Sequence, residues 1–266
     1  MRHRQHARQF NTFAKRSALF AVRLSHAAPR LTGLLLAGAA QANVQADVIT
    51  QWSFNSNPAD TSTATGSTLP STGAGVADVL GVNASFASGA SNGGSSDPVA
   101  SDNSGWQTTG YAAQGTGDKT TGVQFAVSTA GFDAITVSYD LRHSNTSARH
   151  ELFQYSLDGL NFVDFIGFEG DAGDTWFNRT VDLSGIAGVA NNDSFAFRIV
   201  STFAPGTQAY AASRASSSYG TGGTWRFDMV TVSGMAVTPA VPEPETYALL
   251  AAGLLIVWVM SSRRLG

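Results

Sequence analysis

Between residues 123 and 232 the apolar positions recur at every second residue. Val123, Phe125 and Val127 alternate with Gln124 and Ser128, and Ile135, Val137, Tyr139 and Leu141 alternate with Thr136, Ser138, Asp140 and Arg142. Such alternation turns one face of an extended segment to a core and the other to water. Phe153, Tyr155 and Leu157 continue it up to Asp158-Gly159, a pair suited to the positive φ angles of a tight hairpin, with a returning strand predicted at 162–165. Phe195, Phe197 and Ile199 mark a further strand, and Trp225, Phe227 and Met229 the last. A first strand is predicted at 48–54, with Trp52 and Phe54 facing together. No period of 3.6 is evident in the body. Frequent strands joined by Gly, Ser, Asn and Asp turns predict an all-β fold, a single antiparallel β-sandwich of jelly-roll type.

Three regions depart from this pattern. Segment 56–102 is dominated by Ser, Thr, Gly and Ala, with Phe86 as its aromatic exception, and reads as a long loop or a set of weak edge strands. At the N-terminus, Arg2, Arg4, Arg8, Lys15, Arg16, Arg23 and Arg30 precede an apolar stretch at 31–40, with no acidic residue before Asp47. This is the charge order of a secretory signal peptide, with cleavage predicted after Ala42 or Ala46. At the C-terminus, Val241-Pro242-Glu243-Pro244 precedes an apolar run at 247–260, and Ser261, Ser262, Arg263 and Arg264 follow it. A rigid proline segment is open to a processing enzyme, an apolar helix dissolves in hydrocarbon, and arginines stop in the cytoplasm. The predicted organisation is a signal peptide with a helix at 1–46, a sandwich at 47–234, a linker at 235–240 and a tail at 241–266, with a transmembrane helix at about 247–262. The apolar run is shorter than the ~20 residues that span a bilayer comfortably, so passage through the membrane suits it better than permanent anchoring.

The order Pro-Glu-Pro, short hydrophobic helix and terminal arginine pair resembles the PEP-CTERM sorting signal of Gram-negative bacteria. The resemblance covers about a tenth of the chain. It implies that Val241, Pro242, Glu243, Pro244, Arg263 and Arg264 form a sorting and processing motif for an integral-membrane exosortase, a cysteine transpeptidase-like enzyme. It further implies export by the secretion machinery, the inner membrane as an intermediate, and the cell surface or extracellular matrix as destination. Trp52-Ser-Phe-Asn55, Tyr155-Ser-Leu-Asp-Gly159 and Gly223-Thr-Trp-Arg-Phe-Asp-Met-Val230 are also similar to extracellular jelly-roll modules that accompany secreted hydrolases or bind carbohydrate.

Without both ends the body keeps seven basic and seventeen acidic residues, a formal charge of −10. A surface of that sign repels phosphate backbones and anionic lipid, which argues against nucleic-acid binding and leaves divalent cations open. The absence of cysteine excludes thiolate nucleophiles and Cys-type zinc sites, and no disulfide supports the core. About 190 residues suffice for one self-sufficient core.

Candidate chemistry is sparse. Asp140, Arg142, His143, Asn145, Arg149, His150 and Glu151 form the richest polar patch. They read as acid and base chemistry with His143 paired to Asp140 or Glu151, or as a strand end and loop with its charges in solvent. No His-Glu-x-x-His helix is present. Asp228 is a candidate ligand for a structural calcium, because jelly-roll modules that bind carbohydrate use an acidic residue on the last strand in this way; a salt bridge to Arg226 is the alternative. The loop carrying Glu169, Asp171 and Asp174 is a second acidic candidate without EF-hand spacing. Trp106 and Trp176 lie beside Gly, Asp and Thr in predicted loops and are candidates for stacking on sugars, whereas Trp52 and Trp225 are expected in the core.

With one sandwich, two trafficking signals and no assembled catalytic set, the expected function is that of a non-enzymatic surface or exopolysaccharide-matrix protein processed at its tail by an exosortase. The alternatives are a calcium-stabilised carbohydrate-binding module, with extracellular polysaccharide as partner, and a secreted hydrolase using the His143 region. Mass spectrometry of protein recovered from the extracellular fraction should give a C-terminus between residues 241 and 245; recovery with Arg264 retained would indicate a permanent anchor.

Overall fold

The computed structural model describes residues 45–99, 101–237 and 244–262. The signal peptide predicted upstream of Gln45, the motif residues Val241, Pro242 and Glu243, and Arg263 and Arg264 lie outside the described residues. The body is a sandwich of two antiparallel sheets. Strands β1 (Asp47–Trp52), β3 (Asn83–Ser88), β4 (Ser104–Thr109), β6 (Phe132–His143), β9 (Thr175–Asp182) and β11 (Trp225–Ala236) build sheet A, in the order β3-β4-β11-β6-β9, with β1 also on β11. Strands β2 (Val76–Leu80), β5 (Gly122–Ala126), β7 (His150–Ser156), β8 (Val163–Glu169) and β10 (Ala196–Thr202) build sheet B, in the order β2-β5-β10-β7-β8.

The alternation read from the sequence is the alternation of burial. On β6, Ile135, Val137, Tyr139 and Leu141 are buried, and on β10, Phe197 and Ile199 are buried while Arg198 between them is partly open. Aromatic rings tie the sheets together: Trp52 lies 5.0 Å from Phe125, which stacks on Phe197 at 4.9 Å, which stacks on Phe153 at 5.3 Å. Trp106 joins from β4, stacked on Phe54 at 5.4 Å.

The Ser, Thr and Gly-rich segment holds β2 and β3, and each is the edge of its own sheet. This is the edge-strand reading of 56–102 rather than the loop reading. The returning strand of the Asp158-Gly159 hairpin runs over Val163–Glu169, later and longer than predicted. Strand β11 serves two neighbours on one side: its first residues pair with β4 and its later ones with β1. The change falls at a register shift between Asp228 and Thr231, where Met229 adopts φ 46°. An extra residue there re-aims the strand and marks a β-bulge.

Helix α1 (Pro244–Ser262) supplies the helix predicted in the tail. Its expected role as a membrane span is not supported: among the described residues no helix is long and apolar enough to cross a membrane. Pro244, Glu245 and Thr246 occupy the first turn, and what remains falls short of the ~20 apolar residues that a span requires.

Phe125 touches Trp52, Trp106 and Phe197 and is fully buried. Phe125→Ala is therefore expected to cost about 3–5 kcal/mol in a urea denaturation series, with the slope of the transition unchanged.

Candidate functional site

The outer faces of the two sheets differ. That of sheet A is covered. Residues on outward-facing positions of its central strands are buried, among them Asp140 and Arg142 on β6 and Arg226 and Asp228 on β11. The segment between β3 and β4, with its single 3-10 turn at Ser91–Gly93, bonds to several of them: Ser95 Oγ donates to Asp228, the Ser96 amide to Asp140, and Arg142 Nε to Asn92 Oδ1.

The outer face of sheet B is open and polar. One rung crosses all five of its strands, because Asp78 pairs with Gln124, Gln124 with Arg198, Arg198 with Gln154 and Gln154 with Asp164. Arg198 Nε donates to Gln124 Oε1 at 2.7 Å, and Gln154 Nε2 donates to Asp164 Oδ1 at 2.7 Å. Lys119 caps the row by pairing with Asp164; that hydrogen bond raises the ammonium above its usual range. Two rungs further along, Thr202 pairs with His150 and His150 with Glu169. Here a groove of about 430 Å³ is lined by Lys119, His150, Leu152, Gly167, Thr202 and Phe203, among others. Burial lowers the His150 imidazole, so the ring stands in the groove as a neutral donor and acceptor at pH 7. Leu152 and the side-chain-free Gly167 leave a low apolar floor between polar walls. That combination suits a ring with hydroxyls at its edge and C–H groups on its face.

The polar patch 140–151 is divided: Asp140, Arg142, His143 and Glu151 are buried, against the reading that its charges face solvent, while Asn145, Arg149 and His150 are partly open. His143 and Glu151 are 0% exposed and lie between the sheets. His143 Nδ1 donates to the Ala148 carbonyl at 2.9 Å, and its Nε2 is 3.8 Å from Glu151 Oε1. Glu151 also accepts from Arg179 Nε at 2.7 Å and from the Tyr139 hydroxyl at 3.3 Å. Burial acts to raise the Glu151 carboxyl, but the contacts with His143 and Arg179 outweigh it and hold the group below its ordinary value. Burial, then the charge of Glu151, drive the Tyr139 phenol well above its own. The Cα of Gly170 closes over the imidazole, since a Cβ there would meet its ring at 2.4 Å. Among the described residues, the open cleft and nearby nucleophile that a His143 hydrolase requires are not found around this sealed ring.

The other candidates are placed as follows. Trp106 is in β4, not in a loop, and is 3% exposed in the core, so its face is not free for a sugar. Trp176 is half-buried on β9, with its indole N–H donating to the Ser91 carbonyl at 2.7 Å. Trp52 and Trp225 are fully buried. The expected alternative pairing of Arg226 with Asp228 is not made: Arg226 donates to the Ser88 carbonyl and Gln107, while Asp228 accepts from Ser95 and from the Met229 amide. Asp174 of the acidic loop is taken by Arg142 and Asn145, and Glu169 by Arg149.

Around Asp228 the donors fit a cation in one respect. The buried Asn103 Oδ1 has no hydrogen-bond partner, and a Cβ at Gly89 would fall 1.6 Å from it and 2.6 Å from Asp228 Oδ2. Two acceptor oxygens therefore converge on a glycine, Asp228 Oδ2 taking the Ser95 hydroxyl and Asn103 Oδ1 taking no donor among the described residues. Carboxylate, amide, hydroxyl and backbone oxygens are the ligands calcium takes. Among the described residues, no three His, Asp or Glu side chains gather as a metal set.

Sequence reasoning missed Gln124, Gln154, Asp164 and Arg198. Each is a polar member of a period-two strand, but only the inter-strand register aligns them.

No family model matches the chain. No curated protein matches it either. Solved structures that resemble it include the xylan-binding CBM22-1 domain of Xyn10C from Paenibacillus barcinonensis, at 13% identity and a TM-score of 0.40 over 74% of this chain and 100% of that one. A CBM22-1 and GH10 two-module xylanase fragment from Clostridium thermocellum matches at 13% identity and a TM-score of 0.38 over 63% of this chain. The chain spans 27% of the length of that fragment. The K1 cleaved adhesin domain of Lys-gingipain from Porphyromonas gingivalis matches at 13% identity and a TM-score of 0.33, over 60% of this chain and 98% of that one. At these identities and TM-scores, function has to be read from this chain's own residues.

Burial raises the Asp228 carboxyl from 3.8 to about 8. A carboxyl raised on folding contributes stability that is fully present below the unfolded value and is lost as pH rises through the folded one. In chelator, the urea midpoint should therefore fall between about pH 4 and pH 8, at up to about 1.4 kcal/mol per pH unit, and Asp228→Asn should flatten that slope.

Proposed function

We propose that this chain is an exported, non-enzymatic β-sandwich of jelly-roll type that binds extracellular polysaccharide on the outer face of sheet B. The observation that carries the reading is the groove over Leu152 and Gly167, with His150, Thr202 and Lys119 around it and the rung from Asp78 to Asp164 beside it. It offers a low apolar floor within reach of neutral and charged hydrogen-bonding groups, and among the described residues the face has no covering segment of the kind that closes sheet A.

Delivery is assigned to the tail. The Pro-Glu-Pro motif, the helix that follows it and Arg263 and Arg264 support sorting by an exosortase to the cell surface or the polysaccharide matrix, where a glycan-binding domain has its ligand at hand. Calcium is assigned a structural part at Asp228 and Asn103, remote from the groove in the fold because these residues belong to sheet A and its covering segment. There it would neutralise a buried carboxylate and satisfy an unpartnered amide oxygen. The simpler reading of a matrix protein without a glycan ligand shares the same tail and lacks a use for the open groove.

Gly167 permits a clean test. A Cβ there would meet no atom closer than the Glu151 carbonyl at 3.5 Å, so a side chain fits the backbone and enters the groove. Affinity electrophoresis against xylan, glucomannan, dextran and gellan should retard the wild-type body with at least one of them, and Gly167→Leu should weaken that retardation at least tenfold without moving the melting temperature. No retardation by any of them, or an unchanged Gly167→Leu, would overturn the assignment.

A further inference from the structure

The seven cationic side chains of the body are not used alike. Lys119, Arg142, Arg149 and Arg179 each pair with a carboxylate. Arg226 spends both terminal nitrogens on the Ser88 carbonyl and Gln107 Oε1. Arg214 is exposed. Arg198 is different again. It sits on the central strand of sheet B, partly buried, with Nε clamped to Gln124 and its guanidinium carbon 3.5 Å from the centroid of the Phe162 ring. Among the described residues no carboxylate pairs with it and no acceptor takes its Nη1 or Nη2. A guanidinium stacked on a ring and held by one nitrogen presents its remaining edge in a fixed plane, which is the geometry that receives a carboxylate in two parallel hydrogen bonds. Burial lowers the guanidinium below its usual range, a cost that no counter-charge among the described residues offsets.

The neighbours on the rung limit what that carboxylate belongs to. Gln124 and Gln154 flank Arg198 with a free amide N–H and a free amide oxygen respectively, which suit hydroxyl groups. Asp78 and Asp164 lie two strands away on either side, about 10 Å from Arg198 at the usual strand spacing. Lys119 compensates the charge of Asp164, whereas among the described residues no cation pairs with Asp78; that carboxylate, on a body of charge −10, opposes a second ligand carboxylate. Resting on the polysaccharide-binding reading above, we infer that Arg198 selects glycans that carry a single uronic acid carboxylate between neutral sugars, and that it rejects neutral glycans and continuous polyuronates.

Isothermal titration of the wild-type protein tests this with four probes: gellan fragments, whose glucuronates are separated by neutral sugars, the same fragments after carboxyl reduction, xylan, and polygalacturonate. The native gellan fragments should bind at least tenfold more tightly than the reduced ones and than polygalacturonate. Arg198→Gln should erase that preference while leaving the weaker affinity for reduced fragments. Phe162→Leu, which loosens the guanidinium without removing it, should lower the preference part-way and serves if Arg198→Gln does not fold. Equal affinity for native and reduced fragments, or a preference unchanged in both variants, overturns the inference and leaves polysaccharide binding intact. Failure of the wild type to bind any of the four overturns the inference, and overturns polysaccharide binding as well if glucomannan and dextran also fail to retard the protein.

Discussion

The two sheets are held face to face by a continuous run of aromatic contacts. Trp52 and Trp106 reach from sheet A to Phe125 on sheet B, and from there Phe197 and Phe153 carry the contact across neighbouring strands. With no cysteine in the chain, no covalent link shares this task. Rings of this size bury large apolar areas and prefer the offset and tilted arrangements seen here, which fixes sheet spacing as well as affinity between the sheets. The polar rung on the outer face of sheet B inherits its geometry from that spacing, because its central side chains are immediate neighbours of inward rings. Arg198 stands next to Phe197, and Gln154 next to Phe153.

Once the sheets are paired, their outer faces are put to different uses. Sheet A receives the segment between β3 and β4, whose hydroxyls and amides bond to Asp228, Asp140 and Arg142. Covering these charges is costly unless each finds partners, and Gly89 and Ser95 are shaped to that need. Sheet B is left open, with its polar row held by side chain to side chain bonds rather than by a covering loop. Its rung is held by these bonds, and four of its five members stay at least partly open while Gln154 is buried. A surface with its donors and acceptors already oriented loses little conformational entropy when a ligand arrives.

The strands that the sequence declares plainly are those with large apolar residues at every second position. Ile135 to Leu141, Phe153 with Tyr155, and Phe197 with Ile199 are cases in which burial follows the pattern residue by residue. Strands β2 and β3 are hard to read because edge strands have less core to fill, and Ala77 on β2 and Phe86 on β3 suffice for it. Trp106 was misplaced for a related reason: its neighbours Ser104, Gly105 and Thr108 look like loop residues, yet they face the tight packing beneath and above β4. The polar patch misled in the opposite direction. Charge near a turn suggests solvent, and only the pairing of β6 with β9 brings Arg179 beside Glu151 and makes its burial tolerable. The groove is the least legible part, since it depends on the registers of β5, β10, β7 and β8 together.

Strand β7 joins these parts. Its alternate residues face two environments: Glu151 and Phe153 point into the core, while His150, Leu152 and Gln154 point to the groove and the rung. Glu151 is a buried carboxylate held by Arg179, with His143 close by and the Tyr139 hydroxyl on its second oxygen, so its position along the strand axis is set by side chains of two other strands, β6 and β9. A slip of β7 by one residue would place Glu151 in the groove and drive Leu152 into the ionic cluster, exchanging every contact at once. The buried ionic cluster therefore does for register what the aromatic run does for sheet spacing. Breaking one member would leave a charge unpaired in the core, which costs more than the pair contributes, so the cluster enforces a single alignment. The groove on the far side of the strand is built on that alignment, and its floor and its walls keep their relative places only as long as Glu151 keeps its own.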